Sequence, residues 1–147
     1  MIQRKLVVAV ISIVLFSLAI SFIQYTPQSE QEPNVGYFSF SGLVMSYIIG
    51  SSLFFIVGGI PISLLIEKIN EKIIFPSILY KYLINILFYI IGGLTIAGLF
   101  NLILLPGVSN PEDVDFIIAV YIFSIIGSLL FYFVSLCITK IEQYVKT

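Results

Sequence analysis

The chain has 147 residues, of which 59% are hydrophobic and only 10% charged, with a net charge of −1. Soluble domains carry about 25% charged residues because their surface must be solvated, and seven basic with eight acidic side chains are too few for a water-facing surface or a nucleic-acid-binding face. Histidine is absent and Cys137 is the single cysteine, which removes the usual general base, the commonest metal ligand and any internal disulfide.

Four stretches reach the roughly 20 apolar residues that a membrane-crossing helix needs. The first, residues 6–23, follows Arg4 and Lys5. A basic pair before an apolar run also describes a signal peptide, and Ser17-Leu-Ala19 has the spacing of a cleavage site. The run continues to Ile23, longer than a usual signal core, so it is read as a retained span. A polar loop with Pro27, Pro33 and Gly36 follows, and its composition is that of turns.

The second span covers residues 42–66. Gly42, Ser46 and Gly50 recur every four residues along it, the spacing that lets membrane helices approach closely. Gly58-Gly59-Ile60-Pro61 comes late in the span. Pro61 lacks an N–H, so a kink is expected there. Beyond it, Ile66, Ile69 and Ile73 keep helical spacing between charges, and the helix is expected to run on until Pro76 stops it. Glu67 and Glu71 share a face, with Lys68 and Lys72 beside them, as on a solvated helix end.

The third span, residues 82–105, carries Gly93 and Ala97 at the same small-residue spacing. Asn85 and Asn101 are its most polar residues. Each lies within about a turn of a span end, where headgroups and water can supply a hydrogen-bond partner. Ser109 or Asn110 with Pro111, Glu112 and Asp113 reads as a helix start with acids at its positive end. The fourth span, residues 116–139, contains Ser124 and Ser128. In the tail, Ile138, Ile141 and Val145 share a face, and Glu142 is spaced to pair with Lys146.

The spans contain no Asp, Glu, Lys or Arg, and runs this long satisfy their backbone in lipid only as helices or barrels. They lack the alternation of a barrel. All seven basic residues fall on one side of the alternation: Arg4 and Lys5, then Lys68, Lys72 and Lys81, then Lys140 and Lys146. That side is cytoplasmic by the positive-inside rule. Tyr25, Tyr37, Tyr80, Tyr82 and Tyr144 sit near the expected headgroup levels. The expected fold is therefore all-α: one transmembrane domain over 1–147, an up-and-down four-helix bundle of the cell membrane with both termini in the cytoplasm. The small-residue faces are expected to build the bundle, with homo-oligomer contacts as the alternative.

No catalytic, cofactor or metal site is expected. A serine protease lacks its histidine here, a thiol oxidase its second cysteine, and a proton-coupled exporter its intramembrane carboxylate. The isoleucine-rich, tryptophan-free composition points to an AT-rich coding sequence and a bacterial host. Arg4-Lys5 before the first span, Gly59-Ile-Pro-Ile-Ser-Leu-Leu-Ile-Glu67 and Tyr89-Ile-Ile-Gly-Gly93 resemble small four-span membrane proteins of Bacillus and relatives, the UPF0715 family. The resemblance covers nearly the whole chain and implies a host but no activity and no functional residues. The expected function is non-enzymatic, exercised through helix–helix contacts in the bilayer as an accessory, regulatory or immunity-type protein with a membrane-protein partner. A small oligomeric transporter or channel is the alternative. That reading draws on the Gly/Pro break at Pro61 and wants a matching one at Gly92-Gly93.

Overall fold

A computed structural model describes residues 2–33, 35–104 and 111–145. Among them the chain is helical, with no strand. The helices are α1 (Ile2–Gln24), α2 (Phe40–Leu53), α3 (Ile60–Asn70), α4 (Ile78–Leu104) and α5 (Pro111–Val145). A π-helical segment, Phe54–Gly59, joins α2 to α3 without a break, so that Phe40–Asn70 is one rod. Four rods are thus long and apolar enough to cross a membrane. The expected loop and helix start at Ser109 or Asn110, and Lys146 with its pairing to Glu142, lie outside the described residues.

Local chemistry sets the helix starts. The Ser39 hydroxyl accepts from the Gly42 N–H at 3.2 Å, and the Ser77 hydroxyl accepts from the Tyr80 N–H at 3.2 Å; both are N-cap bonds. One end differs from expectation. The rod does not run on to Pro76: α3 stops at Asn70, where the Lys72 N–H bonds back to the Ile69 carbonyl in a tightened last turn. As the shared face of Ile138, Ile141 and Val145 implies, α5 reaches Val145 and has 35 residues. At 1.5 Å per residue it is about 52 Å long, well beyond a hydrocarbon core of about 30 Å.

The rods form a ring in chain order, α1 beside α2, α3 beside α4, α4 beside α5 and α5 back on α1. α2 packs on α1 and, among the described residues, makes no close approach to α4 or α5. The π segment instead touches all three other rods. It lies directly before Pro61, whose ring would clash with the carbonyl four residues earlier in a regular helix. The widened turn closes an Ile60 N–H bond to the Phe55 carbonyl, five residues back. Phe55 anchors this level. Its ring meets Phe16 of α1 edge-on at 5.7 Å and stacks with Phe131 of α5 at 6.2 Å.

Burial runs against the pattern of a water-soluble bundle. Large apolar side chains such as Ile49, Leu79 and Leu102 stand exposed along the rods, while Ser12, Ser17, Ser21, Ser51 and Ser63 are buried. A surface with this much contiguous hydrocarbon is a liability in water. Small side chains at the centre instead let helices approach closely where no hydrophobic force drives them together.

Candidate functional site

The two ends of the bundle carry different cavities. The end where α1 begins and α5 stops is polar. Arg4 at the start of α1 donates to the Glu67 carboxylate of α3 at 3.0 Å and lies 3.8 Å from Glu142 of α5. The Lys5 ammonium reaches the same Glu67 oxygen at 2.5 Å. Lys5 is 1% exposed, so its charge is held by Glu67. The expectation of a solvated Glu67 balanced by Lys68 and Lys72 is corrected: its partners come from the other end of the sequence, because the antiparallel rods bring α1's first turn beside α3's last.

Two side-chain hydrogen bonds join α3 to α4 beside these charges, the first part-buried and the second buried. The Asn70 amide donates to the Asn85 oxygen at 2.6 Å, and Ser63 pairs with the Tyr89 hydroxyl at 2.7 Å. Asn85 is 6% exposed; its partner is a side chain of α3 rather than headgroup or water. The Tyr132 hydroxyl sits beside the Asn85 amide without closing a hydrogen bond. Asn70, Asn85, Tyr89 and Tyr132 line an open cavity of about 750 Å³ together with the charged residues. Asn101, at the other end of α4, has both amide atoms buried with no partner among the described residues.

The opposite half holds an apolar cavity of about 450 Å³ in the gap between α2 and the α4–α5 pair. Gly50 and Phe54 form one wall, Gly93, Ser124 and Ser128 another. The two cavities share no lining residue. The π segment, Phe55 and Phe131 occupy the level between them.

The small residues singled out in the sequence divide into two groups. Gly93 is a contact point: a Cβ there would lie 2.7 Å from the Ser124 carbonyl and 2.8 Å from the Ser128 hydroxyl of α5. Ala97 is fully buried, and the Ser128 hydroxyl is satisfied within its own helix, bonding to the Ile125 carbonyl at 2.9 Å. The face of Gly42, Ser46 and Gly50 does not build the bundle. Ser46 and Gly50 are exposed, and a Cβ at Gly50 would meet nothing within 4 Å. Ser46 turns its hydroxyl onto the Gly42 carbonyl of its own helix at 2.9 Å, which leaves the face without an unpaired polar group.

Gly92-Gly93 does not break α4, which is α-helical throughout; a Cβ at Gly92 would lie 2.6 Å from the Ile62 side chain. Irregularity is confined to one rod, at the π segment before Pro61. Sequence reasoning missed the serines of α1. Ser12, Ser17 and Ser21 line its buried face, and Ser17 meets Ser51 of α2 at 3.3 Å. Their recurrence every four to five residues in an otherwise apolar run was the available signal.

Among the described residues no cluster of three metal-ligating side chains occurs. No protein-family model, curated protein or solved structure matches the chain.

Proposed function

We propose that this chain is a multi-pass protein of a bacterial cell membrane, with both termini in the cytoplasm, that acts without chemistry through contacts of its helices. The partner is a transmembrane helix of another membrane protein, and the role is that of an accessory, regulatory or immunity-type subunit. One observation carries this reading. On the face of Gly42, Ser46 and Gly50, Ser46 and Gly50 are exposed, and the face lies on the helix that packs against α1 and not, among the described residues, against α4 or α5. Small residues at four-residue spacing favour close helix approach. This face is self-satisfied in its polar groups and opens beside an apolar cavity, which suits a second helix laid against it. The basic residues at one end support the orientation.

Copurification from mild detergent tests the reading. The wild-type chain should recover a membrane partner, and Gly50→Leu should lose it while folding normally. Recovery of the same partner by the variant, with no change in amount, overturns the proposal.

A small oligomeric transporter or channel is the second reading, favoured by the polar cavity at the charged end. Flux through liposomes containing only the pure protein, altered by substitutions at Pro61 or Asn101, would decide for it.

A further inference from the structure

The polar cavity at the charged end has features of a binding site that the bundle itself does not use. Its volume, about 750 Å³, falls within the range of small-molecule pockets, about 300–1,000 Å³. Its wall holds polar atoms that are buried and unspent. They are the Arg4 Nε–H, the Asn70 Oδ1 and the hydroxyl of Tyr132, a residue only 5% exposed. Buried polar groups of native proteins nearly always have partners. Here they include a donor, an acceptor and a hydroxyl that is both, so a ligand that completes them must itself offer acceptors and donors.

Charge narrows the class further. Arg4, Lys5 and Lys81 line the cavity with Glu67, Glu71 and Glu142. Three cations face three anions, so an ion of either sign gains nothing from the site as a whole and must still leave water. Lys5 and Glu67 are engaged with each other. Arg4 spends its terminal nitrogens on Glu67 and Glu142, so its Nε–H and the Lys81 ammonium remain for an anionic oxygen group, and Glu71 for an ammonium. We propose that this cavity binds a small zwitterion, an anionic oxygen group and a primary ammonium a few bonds apart, with the Tyr132 hydroxyl and the Asn70 oxygen fixing its orientation. The mouth lies where the rods leave their apolar stretch, so the zwitterion is either a lipid headgroup of the phosphoethanolamine type or a free solute of the same chemistry. The site does not depend on the helix-docking face, which is on α2, and no residue of α2 lines this cavity.

The purified protein in phosphatidylglycerol nanodiscs tests this. Phosphatidylethanolamine is titrated into the discs and its retention read by native mass spectrometry; in a separate arm, soluble glycerophosphoethanolamine is titrated by calorimetry. Saturable one-to-one binding in the first arm alone identifies a headgroup site, and binding in the second identifies a solute site; either supports the proposal. Tyr132→Phe removes a hydroxyl that makes no bond in the bundle, so it should fold as the wild type and bind about tenfold more weakly, the effect of losing one hydrogen bond to a charged group. Glu71→Gln, on the exposed rim, should fold regardless and weaken binding while leaving less preference for ethanolamine over glycerol headgroups. No binding in either arm overturns the proposal. So does retention of phosphatidylglycerol as tight as that of phosphatidylethanolamine, or undiminished binding by both variants.

Discussion

The ammonium of Lys5 lies 2.5 Å from the carboxylate of Glu67, sixty-two positions along the chain, with the lysine side chain 1% exposed and the glutamate 28%. A charge so enclosed is tolerable only while its counter-charge stays in place. The pair ties the first turn of α1 to the last turn of α3, and Arg4, reaching Glu142, adds α5 to the same knot.

Glu67→Gln should therefore destabilise the bundle by about 3 kcal/mol, because buried Lys5 loses the carboxylate that holds its charge. Adding Lys5→Met should recover most of that loss, since an apolar side chain of similar length has no charge to strand. Unfolding titrations of the detergent-solubilised protein would check both. A single variant as stable as the wild type would mean that Lys5 finds water.

Gly93 and Gly50 should respond oppositely to the same change. At Gly93 an added methyl meets backbone at 2.7 Å, so Gly93→Ala should cost about 1–3 kcal/mol, the usual range for overpacking. At Gly50 the methyl enters open space, so Gly50→Ala should leave the isolated chain's stability unchanged. Parallel unfolding curves for the two variants decide it.

The Ser63–Tyr89 hydrogen bond links α3 to α4 at 2.7 Å in a buried setting. A double-mutant cycle with Ser63→Ala and Tyr89→Phe should give a coupling of about 0.6 kcal/mol, the average for such bonds between membrane helices. A coupling indistinguishable from zero would show that the two hydroxyls do not meet.

Orientation has a direct assay. With Cys137→Ser as background, a cysteine at exposed Ser29 should react with a membrane-impermeant maleimide in intact cells. A cysteine at exposed Lys72 should react only after permeabilisation. The reverse pattern would invert the proposed topology and move the polar cavity to the other side of the membrane.

The four rods were legible in the sequence because uncharged apolar runs of sufficient length have one common solution in lipid, and the basic residues mark their ends. Which faces meet was less legible. Gly93 and Ala97 pack inward as their spacing implies, yet Gly42, Ser46 and Gly50, with the same spacing, do not. Spacing reports that a helix can be approached, while only the ring order of the rods decides whether a neighbour is there. The Lys5–Glu67 and Asn70–Asn85 pairings escaped notice for a related reason. Each joins residues on different rods, and nothing local to Glu67 distinguishes Lys5 from the nearer Lys68. The polar cavity follows from these pairings and was invisible without them.

The π segment takes up one residue more than a regular helix would over the same turn. An insertion of that kind turns everything after it by roughly 100° relative to what precedes, at 3.6 residues per turn. Ser51 can thereby aim at α1 while Gly58, Gly59 and Ser63 aim at α4 and α5. Removing one residue between Phe54 and Gly59 would leave a more regular helix and a worse protein: α2 would keep its seat on α1, but Glu67 would swing out of phase with the lysine that needs it.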